Sequence, residues 1–351
     1  MVEKDYIVVG LGIAGICFCE QLLRHDKSFM LIDSGIGGST AKSGGVFNPT
    51  VLKRFTAAWN ASEFHPYAYN FYESLSQKIQ IDFFEEKSIR RIFKSIEEQN
   101  NWTVASDKID LDGFLSSTFI KNSNPAIDAP LGFGEVLGTA QIHTESLLTG
   151  YREYLKSKEK LITENFEYEQ LHQKDNCVVY KNILAKKIIF AEGSKVVENP
   201  FFLKKSLIGN KGEYIVIKAA DLKLTSLLKG PIYVIPMGED KYKVGSTYRR
   251  DDYSINLTEE AKDEILSKLK SFINCPFEVI SQEAGVRPTT KDHRPLLGSL
   301  EENPNLVFFN GLGSRGFLMA PLLSEILYKH LEDGEPLTEE IYIGRTKNWK
   351  V

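Results

Sequence analysis

The first 33 residues restrict the fold of this chain more than any other stretch. Tyr6-Ile7-Val8-Val9 is a β-rich run, and Gly10-Leu11-Gly12-Ile13-Ala14-Gly15 follows it directly. An apolar segment of helical character continues to Leu23, and a second strand, Phe29-Met30-Leu31-Ile32, ends on Asp33. Strand, tight turn, helix and strand in this order predict the βαβ unit of a Rossmann-type α/β domain. Gly10 permits the turn, Gly12 lets backbone approach a pyrophosphate, and Gly15 removes a side chain where helix meets strand. Ile13 and Ala14 open the helix, whose unpaired first-turn N–H groups face the phosphates. Asp33, with Ser34 beside it, can accept hydrogen bonds from both hydroxyls of an adenosine ribose, and its charge repels a 2′-phosphate, which disfavours NADP. These features point to a dinucleotide and leave FAD and NAD both open.

A second glycine cluster, Gly35-Ile36-Gly37-Gly38-Ser39-Thr40-Ala41-Lys42-Ser43-Gly44-Gly45, runs into Val46-Phe47-Asn48-Pro49. It is too long and too glycine-rich for an ordinary strand-to-helix link. Its amides and hydroxyls can wrap a phosphate and leave room for a planar ring. A flexible surface loop is the alternative, against which stands the apolar, stiff ending. Together with Tyr6–Gly15 and Asp33, the Ser39–Pro49 segment resembles the opening of the D-amino-acid-oxidase-like FAD oxidoreductases. That family includes glycine and sarcosine oxidases, D-amino-acid dehydrogenases and the oxidase part of a bacterial tRNA-modifying enzyme. The resemblance implies FAD, with Ser39, Thr40, Ser43, Gly44, Gly45 and Phe47 along the pyrophosphate or beside the isoalloxazine ring.

The middle of the chain carries weaker signals. Apolar residues at Tyr67, Phe71, Leu75 and Ile79 predict a helix, and Thr144 can cap another that carries Leu147, Leu148, Tyr151 and Leu155. A strand reaching Phe190 ends in Ala191-Glu192-Gly193, where Gly193 would allow close cofactor approach; Glu192 stands where the family usually has a small residue. Short β-rich runs at Tyr214–Ile217, Ile232–Pro236 and Tyr242–Gly245 precede a helix that Thr258 can cap. The expected architecture is a Rossmann-type FAD-binding domain (1–60, 135–210 and 280–351) interleaved with an α+β substrate domain (61–134 and 211–279) containing an antiparallel or mixed sheet.

The C-terminal third holds the most specific match to the family. Gly285-Val286-Arg287-Pro288, Asp292 and Pro295-Leu296-Leu297-Gly298 correspond to its G-x-R-P…D…P-x-x-G segment. The strand Leu306–Asn310 then feeds Gly311-Leu312-Gly313-Ser314-Arg315-Gly316-Phe317, and a helix is expected to start near Ala320-Pro321, since proline suits a first turn. The amides of Gly311, Gly313, Ser314, Arg315, Gly316 and Phe317 can stabilise charge on a reduced flavin. The resemblance implies that Arg287 holds a substrate carboxylate, for which a guanidinium is suited through two parallel hydrogen bonds. Salt bridges to Asp292 or Glu283, or solvent exposure, are the alternatives. Arg315 and Tyr248 are the further substrate-site candidates. With no cysteine near Arg287, non-covalent FAD is expected.

The expected reaction is hydride transfer from the amine-bearing carbon of a small amino acid or N-substituted glycine to flavin N5, with O2 or another acceptor reoxidising the flavin. No residue is assigned as acid or base. The alternatives are an aminomethyl group on a tRNA base, an NAD-dependent dehydrogenase and a non-catalytic flavoprotein. A formal charge of −4, from 43 Lys plus Arg against 47 Asp plus Glu, disfavours nucleic acid. The sequence shows no signal-peptide pattern and no apolar stretch near the roughly 20 residues that span a bilayer. Cys17, Cys19, Cys177 and Cys275 form no C-x-x-C pair, so a reduced cytoplasmic protein without a metal site is expected.

Overall fold

The chain leaves one large sheet twice and returns to it twice. The computed structural model describes residues 1–349. The chain opens with β1 (Val2–Val9), α1 (Ile13–Arg24), β2 (Phe29–Asp33), a one-turn helix α2 (Ser39–Lys42) and the long helix α3 (Ala61–Ile79). It then enters a second sheet with β3 (Ile89–Ile92), passes through α4 (Ile96–Ser106) and adds β4 (Phe133–Val136). Helix α5 (Thr144–Ser157) leads back to β5 (Leu161–Thr163), β6 (Leu171–Lys174), β7 (Cys177–Tyr180) and β8 (Ile183–Phe190). The second sheet is completed by β9 (Ile208–Lys218), β10 (Leu227–Lys229), β11 (Tyr233–Gly238), β12 (Lys241–Gly245), β13 (Arg249–Arg250) and, after α6 (Glu259–Lys270), β14 (Glu278–Thr289). The hairpin β15 (Leu296–Ser299) and β16 (Leu306–Asn310) rejoins the first sheet, and α7 (Gly316–Glu332) covers it.

The first sheet has the order β5-β2-β1-β8-β7-β6, and β16 pairs with the carboxyl-terminal half of β8. Strands β5, β2, β1, β8 and β16 are mutually parallel, so their carboxyl ends face one crevice. Burial on both faces explains the unbroken apolar run Ile7-Val8-Val9: Val8 packs with α1 and α7 residues, and Ile7 and Val9 with Phe190 and Phe308.

In the second sheet, β9 is a central strand, with β14 antiparallel on one edge and β12 and β13 on the other. Helix α6 closes one face with Ile265 and Leu269 against Ile215, Val234 and Val244. Lys211 and Glu213 are almost fully buried and pair at 3.2 Å. Glu213 also accepts from the Thr258 amide (3.0 Å) and hydroxyl (2.9 Å) and from Gln282 Nε2 (2.7 Å), which ties the start of α6 to the sheet. Thr258 caps α6 as expected, its hydroxyl accepting from the Ala261 amide.

Three helix starts differ from the sequence reading. Helix α3 begins at Ala61, upstream of Tyr67, with Pro66 inside its second turn. Thr144 does not cap α5; it is the first helical residue, and its hydroxyl donates to the Ala41 carbonyl. Helix α7 starts at Gly316 and carries Pro321 within it. Proline has no N–H to offer the carbonyl four residues back, that of Phe317. The Tyr72 hydroxyl supplies the missing donor at 2.8 Å.

Candidate active site

Close backbone approach shapes the crevice above β1. A Cβ at Gly10, where φ is +101°, would stand 2.6 Å from the Ala191 carbonyl oxygen, and one at Gly15 would stand 2.0 Å from the Gly10 carbonyl oxygen. Only glycine allows β1, α1 and β8 to meet this closely. Gly12 is the extended N-cap residue of α1, and the Ile13 amide donates to Thr40 Oγ1 at 3.1 Å, so α2 sits against the α1 N-terminus. Ala14 is buried beneath that first turn. Gly316 packs against Ile13, which brings the start of α7 to the start of α1. Two helix N-termini and the exposed or half-buried α2 segment thus converge on the carboxyl ends of the parallel strands, an arrangement suited to a pyrophosphate.

The ends of β2 and β8 flank this cradle. Asp33 accepts from the Leu11 amide (2.8 Å) and the Gly35 amide (2.9 Å), and forms an ion pair with Arg152 of α5. Ser34 Oγ accepts from the Ile36 amide. Gly193 adopts positive φ, and its carbonyl accepts from Asn310 Nδ2 at 2.9 Å. Glu192 is held by Tyr168 Oη (2.5 Å) and Asn199 Nδ2 (2.9 Å), and burial pushes its carboxyl up to about 7.

The glycine loop after α2 runs from the start of α1 to the second sheet. Ser43 Oγ donates to the Thr40 carbonyl and accepts from the Gly45 amide. Gly45 presses on the Ile142 backbone and Gly44 on Ile235 of β11. Phe47 is fully buried among Tyr72, Phe84 and His65, so its side chain belongs to the core and only its backbone lines the loop.

On the second sheet, Arg287 of β14 stands opposite Asn210 of β9. Its guanidinium lies over Gly212, where a Cβ would be 2.3 Å from Nη2. Nη2 donates to Ser246 Oγ and Nη1 makes a long contact, 3.5 Å, with the Asn210 carbonyl. Among the described residues no carboxylate lies within 4 Å of it: Asp292 is taken by Arg345 (3.1 Å) and Glu283 by Lys243 (3.0 Å). On the same face, Tyr214, Gly245 and Tyr233 lie in register across β9, β12 and β11, with the Tyr214 ring over Gly245. Burial raises the Tyr233 hydroxyl above its ordinary range, and Asn48 Nδ2 reaches it at 3.4 Å.

The final loop locks these parts together. Gly311 and Gly313 adopt positive φ, and the Gly313 amide donates to the Pro288 carbonyl at 2.8 Å, next to Arg287. Arg315 turns inward, its two terminal nitrogens donating to the Asn48 (2.8 Å) and Thr50 (2.7 Å) carbonyls. Ser314 is exposed, and Phe317 opens α7 beside Tyr72. Tyr248, 55% exposed, lies at the surface. The sequence reading did not single out Arg152 or Tyr233, which carry no motif of their own, and gave Ser246 no role.

A group with an adenosine diphosphate half and a flat ring fits these residues: amides for the phosphates, Asp33 for the ribose, and a loop bridging to the face that bears Arg287. The comparisons agree. Glycine oxidase of Bacillus subtilis (strain 168) is 23% identical over 346 residues, covering 92% of this chain and 91% of that protein. A tRNA 5-methylaminomethyl-2-thiouridine biosynthesis bifunctional protein of Idiomarina loihiensis is 35% identical over 127 residues, 34% of this chain but only 20% of that longer protein. The crystal structure of glycine oxidase from Geobacillus kaustophilus shares the fold with a TM-score of 0.76 at 17% identity, covering 96% of each chain. The model of the FAD dependent oxidoreductase family, DAO, matches residues 5–329, and the chain belongs to that family.

Proposed function

We propose that this FAD-dependent oxidoreductase oxidises the C–N bond of a small amino acid or N-substituted glycine, and that Arg287 grips the substrate carboxylate. The observation that carries this reading is a guanidinium held flat over Gly212, anchored by neutral groups only, on the sheet face that also bears Tyr214 and Tyr233. A guanidinium without a carboxylate partner keeps its charge for a ligand. When bound, FAD supplies the two-electron acceptor. The chain's own residues bind and orient: Arg287 fixes the acidic end, and the aromatic rings of Tyr214 and Tyr233 wall the face beside it. Tying the Pro288 carbonyl to Gly313 keeps the anchoring strand in register with the final loop. O2 or another acceptor regenerates the cofactor.

The test is an anaerobic screen of glycine, sarcosine, proline and D-amino acids, read as loss of the flavin absorbance. Arg287→Ala is expected to lower kcat/KM for the carboxylated amine by about 30- to 1000-fold, from the roughly 2–4 kcal/mol lost with a buried charged partner. Flavin content stays unchanged. Equal efficiency in the variant refutes the assignment.

A second reading is an aminomethyl group carried on a tRNA base, favoured by the 35% identity over 127 residues to the bifunctional tRNA-modifying protein. Under that reading, undermodified tRNA bleaches the flavin and free amino acids do not.

A further inference from the structure

Arg152 belongs to none of the motifs that mark the cofactor site, yet it sits in one corner of it. Its Nη2 pairs with Asp33 Oδ1, and the two side chains remain 21% and 13% exposed. The Asp33 carboxylate already accepts from three donors: the Leu11 amide at 2.8 Å, the Gly35 amide at 2.9 Å and Arg152. A carboxylate offers about four lone-pair sites. One is left, and a ribose presents two hydroxyls.

The other terminal nitrogen of the same guanidinium, Arg152 Nη1, is buried without a hydrogen-bond partner. An unpaired buried donor is costly, and an orphan in an otherwise satisfied corner marks a place where something is meant to accept. The two observations are complementary. Asp33 lacks the capacity for a second hydroxyl, and Arg152 has a spare N–H that only an acceptor can use.

We propose that Arg152 and Asp33 together read the cis-diol of the cofactor's adenosine ribose, Asp33 accepting from one hydroxyl and Arg152 Nη1 donating to the other. The pair makes the two hydroxyls inequivalent, one acting as donor and one as acceptor, where a lone carboxylate would treat them alike. Arg152 is thereby a cofactor-binding residue, while the Leu11 and Gly35 amides hold Asp33 in place. No electrons or protons move in this role; it sets affinity.

The experiment is calorimetric titration of the full chain, stripped of flavin, with ADP, 2′-deoxy-ADP and 3′-deoxy-ADP. In the unsubstituted protein both deoxy analogues are expected to bind at least fivefold more weakly than ADP. Arg152→Gln should weaken ADP about 10- to 100-fold, the size of one charge-assisted hydrogen bond. The same substitution should leave the analogue lacking the accepting hydroxyl within about twofold of its affinity for the unsubstituted protein. Equal losses for ADP and both analogues would reduce Arg152 to a prop for Asp33 and overturn the proposal, as would an unchanged ADP affinity. If Arg152→Gln does not fold, the unsubstituted protein still decides: deoxy analogues that bind as tightly as ADP refute the reading.

Discussion

Replacing Tyr72 by Phe removes one hydroxyl from a fully buried ring and should loosen the start of α7. The Phe317 carbonyl lacks its helical partner because Pro321 has no N–H, and Tyr72 Oη takes that place at 2.8 Å. Burial raises the Tyr72 hydroxyl well above its ordinary range, so it remains a proton donor at any working pH. The phenylalanine ring conserves packing, leaving the unsatisfied carbonyl as the main cost, about 1–2 kcal/mol. For a chain of this size that corresponds to a fall in Tm of about 1.5–3 °C. The decisive measurement is a cycle with Pro321→Ala, which restores a backbone N–H to the same carbonyl. In that background Tyr72→Phe should cost no more than about 0.5 kcal/mol, a coupling near 1 kcal/mol. Thermal melts of the flavin-loaded unsubstituted protein and of its two single variants and one double variant supply all four corners. Costs that add to within about 0.3 kcal/mol would show that the carbonyl does not depend on Tyr72.

Three further outcomes follow from the same structure. Lys211→Met strands the buried Glu213 and should cost about 3–5 kcal/mol in urea denaturation; a loss under about 1 kcal/mol contradicts the buried pairing. Gly10→Ala, which must place a methyl 2.6 Å from the Ala191 carbonyl oxygen at φ +101°, should purify with little flavin, read as the ratio of flavin absorbance to protein. Glu192, faced by Tyr168, Asn199, Lys195 and Glu198, has a folded-state carboxyl raised to about 7 from 4.5. Its protonated form therefore favours the folded state, in full below pH 4.5, and the benefit fades as pH rises through about 7. It amounts to at most about 3 kcal/mol. Glu192→Gln should flatten that slope in stability measured between pH 4.5 and 7.5, and an unaltered slope would assign it to another group.

The parts of the fold legible in the sequence are those in which one residue type does one local job. Gly10 and Gly15 are glycines because backbone lies where a Cβ would be, and that demand shows through as G-x-G-x-x-G between a strand and a helix. The Thr258 cap and the strand ending on Asp33 are equally local. The proline rule that placed the start of α7 at Ala320-Pro321 failed because a residue distant in sequence, Tyr72, replaces the lost donor and lets the helix begin at Gly316. Nothing local to Pro321 could reveal that.

The same distinction runs through the site. Arg287 carried a motif, but what frees its charge is long-range: Gly212 beneath it on β9, Ser246 beside it, and Arg345 and Lys243 engaging the two acids that could have neutralised it. Arg315, a candidate for the substrate by its place in the final loop, has both terminal nitrogens on the Asn48 and Thr50 carbonyls, so its geometry favours holding the second glycine segment against the last one. Arg152 had no sequence signal, being one cation on the polar side of a helix, and only the fold brings it to Asp33. A motif records which backbone must come close. Which charge is left free is decided by partners that the motif does not contain.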